Sequence, residues 1–160
     1  MHIRKATRED VPLILDFIHG IARYEKMEDD VQVTEDMLRD WVFDRQIAEV
    51  VFAMEDDQEV GFVLYFHNYS TFVGKAGLYI EDLYVKPEFR GKGYGKALFL
   101  YLAHTALQRG CGRMEWTCLN WNKPSIRFYR SMGAVPLDDW RVYRLTEDGL
   151  RALETPQPAR

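Results

Sequence analysis

From Arg90 to Lys96 the chain reads Arg-Gly-Lys-Gly-Tyr-Gly-Lys, with glycines at every second position among three cations. An extended apolar stretch ends just before it, and an apolar helical run follows it. A loop at such a junction gathers free backbone N–H groups at the positive end of the helix dipole. Gly91, Gly93 and Gly95 remove side chains that would hold an anion away from those donors, while Arg90, Lys92 and Lys96 add charge. The guest that suits these features is a phosphate or pyrophosphate. Two nucleotide motifs are excluded by letter. A Walker loop needs Ser or Thr after Gly95-Lys96, where Ala97 stands, and a glycine at position 90, which is Arg90. A dinucleotide fingerprint needs G-x-G-x-x-G after the first strand, whereas this loop reads G-x-G-x-G deep in the chain. ATP hydrolysis and hydride transfer therefore fall away.

The elements that must hold this loop follow from pattern. His2–Ala6 reads as a first strand; Thr7 then caps a helix, with Asp10 as the acidic partner of a capping box and Val11, Ile14, Ile18 and Ile21 at helical spacing. Thr34 opens a second helix with Met37, Leu38 and Trp41 on one face. Two β-rich runs flank Asp56-Asp57-Gln58 as a hairpin, and Gly77–Val85 forms a further strand that Pro87 ends. A helix over 93–108, stopped by Gly110, leads to a strand over 113–119. A short helix follows, with Asn122 as its cap, Pro124 in its first turn and Gly133 past its end. Val135–Leu145 is expected as a final strand or hairpin, and 155–160 as a frayed tail. The order implies one α/β domain over residues 1–160, a mixed sheet in which a right-handed βαβ crossover sets the glycine loop at the C-terminal edge of its first strand.

Composition narrows the partners. The 160 residues are 47% hydrophobic, enough for a core, and the net charge of −4 disfavours a general nucleic-acid binder. There is no apolar run of transmembrane length and no signal-peptide core at the start, so a cytoplasmic protein is expected. Cys111 and Cys118 read as buried, reduced thiols; the four histidines show no metal-ligand spacing, and no metal is expected. Glu81 and Asp82 are neighbours on the strand before the loop. Adjacent strand residues point to opposite faces, so the two share a role only if a bulge intervenes.

The strand Tyr-Ile-Glu-Asp-Leu-Tyr-Val (79–85), the loop 90–95 and the helix 121–134, in this order and spacing, resemble the GCN5-related N-acetyltransferase (GNAT) family. With Ala22–Asp29 and Asn68–Lys75 added, the chain resembles the diamine and polyamine branch of that family. The resemblance implies a mostly antiparallel mixed sheet flanked by helices around a βαβ core that binds acetyl-CoA as co-substrate. It implies that the loop residues Arg90 to Lys96, including Tyr94, hold the pyrophosphate. The pantetheine would lie along Leu83, Tyr84 and Val85, with Asn122 and Ser125 contributing from the later helix. It further implies Glu81 as the base, acting through water, with Asp82 as its neighbour, and Tyr129 as the acid that protonates the leaving thiolate.

Such chemistry has a stated energetic demand. An alkyl ammonium of pKa about 10.4 is neutral in only about one part in two thousand at pH 7, so exposing its lone pair costs roughly 4–5 kcal/mol. A carboxylate or ordered water must take that proton, and a backbone N–H near Leu83, freed by a bulge, could receive the charge on the carbonyl oxygen. The resemblance carries over Tyr24, Glu25 and Glu28 as the positions that read the distal ammonium, and Phe72 and Asp82 are expected to line the same acceptor pocket. There is a departure, however: Ser70 and Phe72 stand where polyamine enzymes can carry Asp and Trp. A short diamine or basic amino acid is thus as suitable as a polyamine. A protein or peptide acetyltransferase and a non-catalytic acetyl-CoA-binding module are the alternatives, and a homodimer is expected from the branch.

Overall fold

The computed structural model describes residues 1–154, so the expected frayed tail at 155–160 lies outside the described residues. Two compact units divide the chain, one from Met1 to Thr117 and one beginning at Cys118.

The first unit is built on a five-stranded sheet in the order β1 (His2–Lys5), β2 (Glu49–Glu55), β3 (Gln58–Ser70), β4 (Lys75–Val85), β5 (Met114–Trp116). Neighbouring strands are antiparallel except β4 and β5, which are parallel and joined through helix α3 (Tyr94–Gln108). The expected βαβ crossover and mostly antiparallel sheet are both present. Strand alternation sends Val50, Phe52, Phe62 and Tyr84 to the face covered by helix α1 (Val11–Glu25), which contributes Val11, Ile14 and Phe17. On the α3 side, Leu98 lies against Gly61. Buried aromatic rings join α1 to the sheet: Phe17 stacks on Phe62 at 5.0 Å and meets Tyr84 edge-on at 6.4 Å.

The start of α1 is tied down by one carboxylate. Asp10 Oδ2 accepts the Thr7 N–H at 2.7 Å and also pairs with Arg4 of β1, whose guanidinium pushes the Asp10 carboxyl down to about 2. At the far end of α3, Arg109 pairs with Glu49, which also accepts the Tyr65 hydroxyl at 3.2 Å.

Two bulges break the ladders. Ala53 faces Gly61 and Met54 faces Glu59, leaving Val60 extra in β3; Leu64 faces Asp82 and Tyr65 faces Ile80, leaving Glu81 extra in β4. The β4–β5 ladder covers only Leu78–Ile80 against Met114–Trp116. The backbone of Leu83–Val85 is therefore outside that ladder on its β5 side.

Several expectations need correction. The second helix is a short α2 (Glu35–Leu38) continuing into a π turn over Arg39–Asp44, where Arg45 N–H bonds to Asp40 O. Leu38 and Val42, one turn apart, are buried while Met37 and Trp41 are exposed, so the covered face runs through Leu38 and Val42 and not through Met37 and Trp41. Cys111 and Cys118 are both thiols but only partly buried.

In the second unit, helix α4 (Lys123–Ser131) starts at Asn122, whose Oδ1 accepts the Ser125 N–H at 3.3 Å. Val135–Leu145 forms no strand; among the described residues no ladder takes its backbone groups, and a turn closes from Trp140 N–H to Leu137 O. A helix absent from the expected order, α5 (Glu147–Glu154), follows, begun by Thr146, which accepts the Leu150 N–H at its carbonyl and the Gly149 N–H at its hydroxyl.

Gly61 lets β3 pack tightly against both β4 and α3. A Cβ there would fall 3.1 Å from Tyr84 O, 3.1 Å from Val85 Cγ2 and 3.3 Å from Leu98 Cδ1. Gly61→Val should therefore destabilise the protein by about 1–3 kcal/mol through overpacking, read as a lower urea midpoint at unchanged m-value.

Candidate active site

The glycine loop keeps its backbone donors open. Gly91 and Gly93 adopt positive φ, +75° and +92°, and a Cβ built on Gly91 would meet nothing within 4 Å. Helix α3 closes its first internal bond from Ala97 N–H to Gly93 O. The N–H groups of Tyr94, Gly95 and Lys96 in its first turn consequently have no carbonyl one turn back. This cradle fits a diphosphate through main-chain donors and the dipole of α3.

Two of the loop's cations are engaged elsewhere. Arg90 donates its Nε–H to Val85 O at 3.0 Å, and its guanidinium lies 4.5 Å from the Tyr24 ring centroid and 5.3 Å from that of Tyr84. Lys92 Nζ stands 3.8 Å from Glu55 and 4.8 Å from the centre of the Phe89 ring. Lys96 is exposed. Tyr84, expected beside the pantetheine, has its ring buried against α1, where Gly20 makes room for it: a Cβ on Gly20 would come within 2.9 Å of the ring. Leu83 and Val85 instead face α3, next to Gly95.

The β4 bulge decides the carboxylates. Glu81 is the extra residue and is exposed; Asp82, in register with Leu64, points to the α1 face and is partly buried. Burial pushes the Asp82 carboxyl up to about 7, with the charges of Glu81 and Glu25 adding to the rise. Burial also raises the Glu25 carboxyl. No arginine, lysine or histidine among the described residues opposes the rise at Asp82. The structure thus gathers Glu25, from the end of α1, with Glu81 and Asp82 of β4. Such a cluster can receive a positively charged guest and take a proton near neutral pH.

The other expected acceptor residues are placed differently. Glu28 pairs with Arg23 at 2.7 Å, which holds its carboxyl below the usual range. Phe72 is 97% exposed at the tip of the β3–β4 hairpin, and Ser70 is buried with its hydroxyl accepting the Val73 N–H at 3.2 Å. In the second unit Tyr129 lies on α4 with its ring 5.4 Å from that of Phe128. Among the described residues no group of three His, Cys, Asp or Glu is placed to hold a metal ion, and no helix is long and apolar enough to cross a membrane.

Residues 14–134 match the Acetyltransferase (GNAT) family. The chain belongs to the GNAT acetyltransferases. Among its relatives, thialysine N-epsilon-acetyltransferase of Bos taurus is 36% identical, covering 94% of this chain and 95% of the relative. L-ornithine N5-acetyltransferase NATA1 of Arabidopsis thaliana is 33% identical over 95% of this chain and 87% of its own length. A solved V. cholerae integron cassette protein superposes with a TM-score of 0.79 at 28% identity, covering 97% of this chain and 98% of its own. As a GNAT chain this is an acetyl-transferring enzyme.

One partner of the GNAT loop carried no sequence signal. Glu55 closes the β-rich run before the Asp56-Asp57-Gln58 turn, yet it reaches Tyr94 and Lys92.

A carboxyl whose folded pKa exceeds its unfolded value binds more protons when folded, so its contribution to stability falls as pH rises between the two. For Asp82 that window runs from about 4 to about 7. Asp82→Asn should raise Tm at pH 8, with the gain shrinking towards pH 4 in a calorimetric melting series.

Proposed function

We propose that the protein transfers the acetyl group of acetyl-CoA to a primary amine of a small cationic substrate, a short diamine or basic amino acid, by direct attack in a ternary complex. The observation that carries this reading is the cluster of Glu25, Glu81 and Asp82, in which no cation among the described residues counters the upward shift of the Asp82 carboxyl. A diamine or basic amino acid supplies the missing positive charge. Spermine-length substrates are disfavoured, because Glu28 is paired with Arg23 and Ser70 caps a turn, leaving fewer carboxylates along an extended path. The named activities of the thialysine and ornithine relatives support the same substrate class.

Acetyl-CoA supplies the activated acyl group when bound; main-chain donors over 91–96 grip its diphosphate. Asn122 and Ser125 of α4 are assigned to the pantetheine by their match to the family pattern. In this proposal the roles expected of the two strand carboxylates are exchanged. Asp82, with a carboxyl near 7, takes the proton from the substrate ammonium at less cost than an ordinary carboxylate would, and the more exposed Glu81 holds the cation alongside. The amine nitrogen then forms its bond to the acyl carbon, the Leu83 N–H receiving charge at the oxygen. The carbon–sulfur bond breaks, and the Tyr129 phenol gives its proton to the thiolate. Residues 1–160 act here as a single acetyltransferase domain, in the cytoplasm and as a homodimer.

Thiol release measured with an amine panel tests the substrate class. Ornithine, thialysine and short diamines should give higher kcat/KM than spermine. Turnover on peptides alone would instead make the enzyme a protein acetyltransferase, and CoA binding without any turnover a binding module. Between about pH 5.5 and 8.5, kcat/KM for the amine should rise with an inflection near the Asp82 pKa of about 7. Asp82→Asn should abolish that inflection. Glu81→Gln should keep it at lower pH, because the Glu81 charge helps to hold the Asp82 pKa up. The opposite pattern would return the proton to Glu81.

A further inference from the structure

The loop that grips the diphosphate is made of glycines, which leave its donors open but give it nothing to hold it still. Gly91 and Gly93 contribute no side-chain packing, and Gly95 lies only in ordinary contact range of Val85 and Leu83. Between Gly93 and Gly95 stands Tyr94, the first residue of α3, which is 4% exposed. Its ring meets Phe89 edge-on at 6.3 Å, fixing one end of the side chain. Its hydroxyl donates to Glu55 Oε1 at 2.6 Å, fixing the other. Glu55 ends β2 and pairs in register with Gln58, beside the tight Asp56–Asp57 turn, so it is anchored to the sheet. The carboxylate also raises the Tyr94 hydroxyl to about 12, so the phenol keeps its proton and remains the donor.

The geometry points to Glu55 as a positioning residue for the diphosphate: through the Tyr94 hydroxyl it braces the glycine loop against β2, so that the N–H groups of 91–96 face outward before any ligand arrives. A pre-set loop binds without the cost of ordering its own backbone, and that is where the affinity gain arises. The inference rests on the reading of the loop as a diphosphate cradle. The same oxygen stands 3.8 Å from Lys92 Nζ, a second contact that must be separated from the first. Glu55→Gln separates them, because it keeps an acceptor for the hydroxyl and removes the charge beside Lys92.

The test uses the full chain, the single variants Glu55→Ala, Glu55→Gln and Tyr94→Phe and the double variant Glu55→Ala/Tyr94→Phe, each first checked for folding by its melting curve. Calorimetric Kd for CoA should rise about tenfold in Glu55→Ala and in Tyr94→Phe, the scale of one lost hydrogen bond to a charged group. The double variant should be no worse than either single one, since both remove the same bond. Glu55→Gln should stay within about threefold of the parent, the carboxamide still accepting the hydroxyl. KM for acetyl-pantetheine, which lacks the diphosphate, should be unchanged throughout, as should KM for the amine. Amide hydrogen exchange over 91–96 in the unliganded protein should accelerate in Glu55→Ala and Tyr94→Phe, a readout that needs no ligand at all. Parent protein that binds no CoA would overturn the cradle itself, while exchange would still report on the brace. Unchanged exchange, additive losses, a Glu55→Gln as impaired as Glu55→Ala, or equal losses on acetyl-pantetheine would each overturn the brace.

Discussion

One electrostatic constraint in this protein is left uncompleted by the fold, and the proposed chemistry turns on it. Asp10, Glu28, Asp44 and Glu49 each lie against an arginine, and each carboxyl sits below its ordinary range for that reason. Asp82 is treated in the opposite way: the chain partly buries it, sets two more carboxylates near it and, among the described residues, sets no arginine against it. A buried carboxyl in such company is driven towards its neutral form, at a cost to folding that packing elsewhere must offset. Sites of this type are retained where an outside cation or a moving proton supplies what the protein withholds.

The arrangement exists because β4 contains one residue more than its partner. Without the bulge at Glu81, the alternation running down from Ile80 would turn Asp82 to the α3 face and Leu83 to the α1 face. The extra residue resets the phase halfway along the strand, so that Tyr84 and Asp82 share the α1 face while Leu83 and Val85 meet α3. One inserted residue thereby decides which carboxyl is buried, and it does so without any change in the residues themselves.

The parts of this structure legible in the sequence are those governed by local rules. The glycine loop, the caps at Thr7, Thr34 and Asn122, and the hairpin at Asp56-Asp57 each depend on a few adjacent residues, and each stands where spacing set it. Features that depend on a distant partner were not legible. A bulge beside Glu81 is one of the alternatives the sequence leaves open, and only the register of β4 against β3 decides it. The contact of Glu55 with Tyr94 spans the turn from β2 and the start of α3, with nothing in either stretch to announce it. Val135–Leu145 has strand-like composition, but a strand needs a neighbour, and composition names none. In the second helix the pairs Leu38/Val42 and Met37/Trp41 both fit helical spacing, and only the core that packs against Leu38 and Val42 decides which of them faces inward.

The end of α1 brings the two halves of the site under one constraint. Tyr24 and Glu25 are consecutive, so helical geometry turns their side chains about 100° apart. The Tyr24 ring stacks with Arg90 at the mouth of the glycine loop, while Glu25 acts on Asp82 across the face of β4. The helix then stops at Lys26, held in a left-handed conformation with its N–H bonded back to Ala22 and Arg23. Because α1 is packed on the sheet through Phe17 and Tyr84, its last turn has little freedom to adjust one contact without the other. The helix end thus sets the distance between the glycine loop and the carboxylate cluster, which in the proposed reaction is the distance an acyl donor and an amine must share.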